Sequence, residues 1–304
     1  MQLSKSCKLD TYSQGKTVYL DNDVDLSGSD FVPIPTFGGT FEGQGHTVSG
    51  LELSGDASHM GLFRYVQAVS TVRDLKITGN IDAAGTLNEI GAVVGTNYGT
   101  ISGCSFNGTI SGENNVGGIA GTNESSGMIY NCKTEGFVEG DHYVGGIVGK
   151  VQAGTIENCS FSGSVTGGYT GGIAGGLNGN NVTISGCANL AAVTGTTAGG
   201  ILGYWKNTAA IRDCYNTGSV TGSAKAGGIV GQLNKGTIEN CYSIGDIGGK
   251  ASQKGGIFAF SSATVKNCYY TLPEAETLGG TAAAAAHITS PDGLADKLGN
   301  AFKE

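Results

Sequence analysis

Apolar residues along this chain come in short bursts, set between glycines and small polar residues, and not in the three-and-four spacing of amphipathic helices. The stretch from Gly145 to Gly175, GGIVGKVQAGTIENCSFSGSVTGGYTGGIAG, shows the unit and the start of its next copy. A glycine pair is followed by an apolar segment, then by a threonine-isoleucine pair, then by a cysteine and a further apolar segment. The segments are too short and too rich in glycine for helices, because each interior glycine costs about 1 kcal/mol against alanine in a helix. They read as short strands separated by glycine turns.

The unit repeats. Cysteines stand at positions 104, 132, 159, 187, 214, 241 and 268, at intervals of 27 or 28 residues. The first glycine of the preceding pair, the anchor, falls at 91, 117, 145, 171, 199, 227 and 255. Gly61 and Leu75 mark an earlier, degenerate copy, which makes about eight copies in all. Short strands at constant period predict an all-β solenoid, each coil burying its apolar face against its neighbours.

Three columns would fill the core. Three residues before each cysteine come Ile101, Ile129, Ile156, Ile184, Ile211, Ile238 and Val265. Two after each anchor come Val93, Ile119, Ile147, Ile173, Ile201, Ile229 and Ile257, and six after each cysteine Ile110, Val138, Val165, Val193, Val220 and Ile247. Stacked at about 4.8 Å per coil, eight coils make a cylinder near ~40 Å long. A residue three before the cysteine would lie on the opposite face of an uninterrupted strand. The intervening residue is Gly103, Asn131, Asn158, Gly186, Asp213, Asn240 or Asn267, all of types that tolerate positive φ, so a bend is expected there in every coil. Stacked asparagines at this bend could also bond along the axis.

The cysteines Cys104, Cys132, Cys159, Cys187, Cys214, Cys241 and Cys268 are expected to be reduced core residues. Successive Cβ atoms about 4.8 Å apart on parallel vectors do not suit a disulfide, which wants ~3.8 Å and converging bonds. No CxxC or Cys/His pair points to zinc. Cys7 lies outside the column and stays unassigned.

Repeats reading VGGIAG, VGGIVG, AGGILG and AGGIVG, each followed by a segment similar to TIENC, resemble the GLUG motif of bacterial cell-surface proteins and of non-catalytic regions of immunoglobulin A peptidases. The upstream KTVYLDNDVDLSG and FVPIPTFGGTFEGQGHTVSGL resemble the segment that opens such a β-helix. The resemblance spans roughly residues 16 to 270. It implies a right-handed parallel β-helix and a secreted or cell-surface location, with adhesion or surface architecture as the role. It does not imply peptidase activity: HExxH is absent, and the histidines are His46, His59, His142 and His287.

The expected organisation is an N-terminal β cap with first strands over 1–50, the repeat β-helix over 51–270, and a C-terminal cap over 271–304. In the last segment Ser290, Pro291, Leu294, Leu298 and Phe302 carry the capping residues and apolar stripe of a short helix. The run Ala282–Ala286 is left open between helix and strand. No apolar signal core or anchor is visible in the sequence, which reads as a fragment or mature start of a surface protein.

Composition narrows the partners. Charged residues make up only 14% of the chain, and 17 basic against 25 acidic residues give a net charge of −8. The basic residues form no run, which argues against nucleic acid. No apolar run reaches the ~18 residues of a membrane span. No cofactor is expected, and a monomer is.

Candidate chemistry is sparse. Tyr215, Tyr242 and Tyr269 directly follow consecutive cysteines, and Tyr204 and Trp205 are placed in a loop of the same region. Such a row could stack on sugar rings or brace its own coils as an aromatic ladder. Asp21, Asp23 and Asp25 alternate along one strand face and offer three hard oxygens toward calcium, short of the 6–8 that it takes. Glu135, Glu139 and Asp141, with Glu113 and Glu124 one copy earlier, could form the acid cluster of a polysaccharide lyase or hydrolase, or a plain acidic patch. The leading expectation is a non-catalytic adhesin or spacer for glycans or host surface proteins. A polysaccharide-active enzyme and a purely structural stalk are the alternatives.

Overall fold

The computed structural model describes residues 2–55, 57–83, 88–125, 127–179, 182–271 and 285–287. They form a parallel β-solenoid of about eight turns. Its strands pair in parallel throughout, into one sheet of 17 strands and another of 18. A coil gives two short strands to each sheet, as in Val94–Asn97 and Thr100–Ser102, then Ser105–Ser111 and Asn114–Gly117, or the two run together, as in Ser160–Gly171 and Leu202–Arg212.

The columns read from the sequence are the ladders of the core. Ile101, Ile129, Ile156, Ile184, Ile211, Ile238 and Val265 are in direct register. The ladder continues upstream through Val72 and Phe41 to Val18, so strands of the N-terminal segment already belong to the stack. At that end Phe41 packs edge to face on Phe37 and Phe63, which are tilted on one another, with ring centroids 5.2–6.1 Å apart. A short helix, Gln2–Ser6, precedes them and Ser4 bonds the Pro33 carbonyl at 3.2 Å. The alanine run contributes Ala285–His287, a strand in parallel register with Cys268–Tyr270. The C-terminal helix expected from Ser290 to Phe302 lies outside the described residues.

The bend before each cysteine is present. Asn131, Asn158, Asp213, Asn240 and Asn267 have φ between 48° and 56°, Gly103 and Gly186 have 60° and 62°, and Asp74 repeats the bend before Leu75. It turns both the isoleucine and the cysteine inward. Along it Asn240 donates to Asp213 at 2.9 Å and Asn267 to Asn240 at 3.2 Å. All eight cysteines, Cys7 included, are buried free thiols. From Cys132 to Cys241 each Sγ lies 3.7–3.9 Å from the carbonyl of the isoleucine one coil back and 3.1–3.4 Å from the carbonyl two residues before it. Burial pushes the Cys132, Cys187 and Cys241 thiols well above their ordinary range.

Two findings depart from the sequence reading. The anchor glycines, Gly91 to Gly255, do not hold positive φ, so they are not turn residues in the conformational sense. Their place is steric: a Cβ on Gly117, Gly171 or Gly199 would meet main-chain atoms of the following strand and the next coil. The core also holds a polar ladder two residues after the cysteine. Asn189 donates to Asn216 Oδ1 at 2.7 Å and Asn216 to Ser243 Oγ at 3.2 Å, and each asparagine also closes on the backbone two residues on. Upstream the same column reads Ile77, Phe106, Thr134 and Phe161, all buried.

Candidate functional site

Tyr215, Tyr242 and Tyr269 are in register on adjacent coils. The Tyr215 and Tyr242 rings lie 5.1 Å apart and 4° from parallel, face against face. Burial, with Tyr215 beside it, pushes the Tyr242 hydroxyl up to about 12. The faces that Tyr215 and Tyr242 turn on one another are not offered to a sugar ring, so this pair braces its two coils. Trp205 is not a loop residue: it lies in the strand Leu202–Arg212 with no exposed surface, in register between Leu177 and Leu233. Tyr204 points the other way and belongs to a different cluster.

That cluster occupies a seam. At each anchor the chain turns from the second sheet into the first, and glycine lets the two strands meet backbone to backbone. Outside this corner two columns face each other. One is the residue two before the anchor: His59, Glu89, Asn115, Tyr143, Tyr169, Thr197, Lys225 and Gln253. Its downstream members are tied by direct register. The other runs on the first sheet through Tyr65, Thr96, Thr122, Lys150, Gly176, Tyr204, Gln232 and Phe260. They interlock with an offset of one coil. His59 Nδ1 lies 2.9 Å from Thr96 Oγ1, the Tyr143 ring covers Gly176, the Tyr169 and Tyr204 rings are 4.5 Å apart, and Lys225 sits 5.8 Å from the Phe260 ring.

The upstream half of the seam is polar. Glu89 lies 3.5 Å from His59 Nδ1 and accepts from Asn115 Nδ2 at 3.2 Å. His59, Glu89 and Asn115 have φ of 61°, 65° and 52°, a backbone conformation uncommon for His and Glu. Burial pulls the His59 imidazole below its ordinary value, against the pull of Glu89, and raises the Tyr65 and Tyr98 hydroxyls. The downstream half is aromatic: Tyr143 stacks on Tyr169 at 5.3 Å, and His142 packs against both rings. Next to it is an open cavity of about 370 Å³ lined by Asp141, His142, Tyr169, Thr196, Thr197, Lys225 and Gln232.

The acid cluster read from the sequence is divided among these places. Glu135 and Glu139 project from the outer face of the strand Lys133–Glu139, on either side of the exposed Phe137, and Glu135 pairs with Lys133. Asp141 lines the seam cavity, while the Glu113 carbonyl accepts the Asp141 and His142 amides. Glu124 stands at the end of a first-sheet strand, in the field of Lys150 and Glu89. The aspartates near the N-terminus are held separately: Asp23 by His46 and the Thr47 amide at 3.1 and 2.9 Å, Asp25 by the Ser27 amide at 2.9 Å, and Asp21 by Gln44 at 3.4 Å. Among the described residues no group of three or more His, Cys, Asp or Glu side chains could hold a metal ion.

Glu124 gives a pH-dependent expectation. Burial raises its carboxyl above the usual value, with Lys150 opposing and Glu89 adding to the rise. A raised folded pKa favours the protonated form, so the contribution to stability is full below about pH 4.3 and is lost as pH rises through the folded value. Glu124→Gln is therefore expected to raise the melting temperature slightly at pH 7–8 and not at pH 4. An equal gain at both pH values would show that charge is not the cause.

Comparisons with known proteins agree with this architecture. The GLUG motif matches residues 140–166, one copy of the repeat, which includes Tyr143, Lys150 and Cys159. A segment of 110 residues, 34% of the chain, is 32% identical to halomucin of Haloquadratum walsbyi, and it spans 1% of that protein's length. A crystal structure from Bacteroides ovatus, described as a candidate immunoglobulin A1 protease, shares the fold with a TM-score of 0.56 at 22% identity, over 69% of this chain and 73% of the other. Among the described residues no helix is long and apolar enough to cross a membrane.

Proposed function

We propose that this GLUG-motif β-helix is a non-catalytic module of a secreted or cell-surface protein, a rigid spacer whose corner seam presents a binding face for glycans. The observation that carries this reading is the seam itself. It runs along successive coils with hydroxyl, amide, carboxylate, ammonium and aromatic groups held in fixed register, the mixture that recognition of polyhydroxylated chains needs. Extended faces of solenoids commonly serve as binding surfaces. The similarity to part of halomucin supports a surface setting. A host surface protein is the other ligand class, and the chain is expected to act as a monomer without a cofactor.

Two observations bear on the alternatives. The separation of Glu135 and Glu139, on an outer strand face, from Asp141, which lines the seam cavity, weighs against a lyase or hydrolase, which needs two carboxyl groups flanking one bond. The self-stacked tyrosines favour a purely structural stalk for the face they occupy. The test is a broad glycan array with the purified chain, run beside an assay for release of reducing or unsaturated sugars. Binding without product supports the proposal. Product release abolished by Glu135→Ala or Asp141→Ala would make the chain an enzyme, and silence in both assays would leave the stalk.

A further inference from the structure

We infer that the seam cavity beside Tyr169 is a subsite for a single neutral, polyhydroxylated sugar unit. This rests on the glycan reading and specifies where, and for what kind of sugar, it operates. The volume of about 370 Å³ falls within the roughly 300–1,000 Å³ of small-molecule sites. One wall is the Tyr169 ring, held between Tyr143 at 5.3 Å and Tyr204 at 4.5 Å, so its exposed edge and hydroxyl are fixed in place. Such preorganisation reduces the ordering lost on binding.

The polar lining sets the chemistry. Asp141 and Lys225 line the same cavity, yet neither makes an ion pair among the described residues. The Lys225 stem is steadied near the Phe260 ring, 5.8 Å from its ammonium. Gln232 also lines the cavity, and its amide nitrogen donates to Asn234 Oδ1 at 3.1 Å, which leaves its carbonyl oxygen to accept. A carboxylate accepts from one sugar hydroxyl while an ammonium donates to its neighbour, so an acid and a base in one cleft suit a pair of adjacent hydroxyls. An anionic sugar that paired with Lys225 would leave its charge facing Asp141 in the same cavity, and an amino sugar that paired with Asp141 would leave its charge facing Lys225. The uncharged unit satisfies both.

The experiment is titration of the full chain with methyl glycosides of glucose, galactose, mannose, N-acetylglucosamine and glucuronic acid, followed by NMR. Lys225→Ala and Asp141→Asn are measured alongside, with thermal melts to establish that each is folded. The expected result is weak binding of at least one neutral glycoside, insensitive to salt, and roughly tenfold weaker in either variant, as loss of one hydrogen bond to a charged group implies. Binding of a neutral glycoside that persists unchanged in both folded variants would place the subsite elsewhere and leave the glycan reading standing. Preference for glucuronate, lost at high salt, would overturn the assignment of a neutral ligand. Silence from the glycosides, with binding of longer glycans on the array, would overturn the single-unit subsite alone, whereas silence from both would remove the glycan reading with it.

Discussion

Trp205→Ala is expected to destabilise the protein by about 3–5 kcal/mol, the range for emptying a large buried aromatic site. The indole has no exposed surface and is the largest fully buried side chain among the described residues. Its column stands six residues after the anchor, between Leu177 and Leu233, so its removal leaves a hole spanning the contact between two coils. In a solenoid each coil touches only its neighbours, and loss there weakens the stack on both sides. Trp205→Phe provides the contrast. The indole Nε1 has no hydrogen-bond partner, so replacing the ring by phenylalanine removes an unsatisfied donor while keeping most of the apolar volume. A much smaller loss is expected, and urea unfolding followed by circular dichroism measures both. A Trp205→Ala protein of native stability that had lost glycan binding would return the residue to the surface, where the sequence suggested it.

That suggestion failed for an identifiable reason. The inward column six after the anchor includes Asn97, Asn123, Val151, Trp205, Leu233 and Ser261, with two asparagines among its earlier members. Asn97 and Asn123 are fully buried because they bond each other at 2.7 Å and close on nearby backbone carbonyls. Polarity therefore disguised a core position, and the tryptophan in it looked like a loop residue. Where type and position agreed, the sequence was easy to read. The isoleucine and cysteine columns keep one kind of residue in every coil, and the bend needs Gly, Asn or Asp, so both the ladder and the parity break between them could be derived from spacing alone.

The seam was not legible in the same way. Two before the anchor stand His59, Glu89, Asn115, Tyr143, Tyr169, Thr197, Lys225 and Gln253, eight positions with seven residue types. Some of its members, such as Asn115 and Thr197, are buried and others are not, so the column has no common packing demand and nothing repeats except the spacing. Its partner column lies on another strand, offset by one coil, and only the register reveals that Tyr169 meets Tyr204 or that Lys225 meets Phe260. Clustering acids by nearness in sequence had the same weakness: Glu135 and Asp141 are six residues apart but lie on different faces of the coil. The available signal was the fixed offset from the glycine pair, two before and five after.

The glycine pair itself leads to the second large effect. Gly171→Ala is expected to cost at least about 3 kcal/mol or to prevent folding, at the upper end of what overpacking a well-filled site does. The added methyl would press into the Ala174 carbonyl oxygen, and the Gly203 amide nitrogen and Ile201 carbonyl oxygen lie 2.8 Å from it. All three are main-chain atoms, two of them in the next coil, so no side chain can swing aside. Relief would require opening the corner, and the corner carries the axial bonds Gly172 N to Gly199 O at 3.2 Å and Ile173 N to Ile201 O at 3.1 Å. Gly248→Ala separates this steric cause from a general intolerance of the strands to alanine. Gly248 also lies in a strand, its φ is not positive, and the nearest atom to an added methyl is Thr221 Oγ1 at 3.8 Å. There the substitution is expected to be neutral or to stabilise by up to about 1 kcal/mol, through a less flexible unfolded chain. Melting temperatures of the two variants decide the matter. A Gly171→Ala protein that melts with the wild type would mean that the coils can part at the corner without loss, and the repeat's glycines would then need a reason other than close approach.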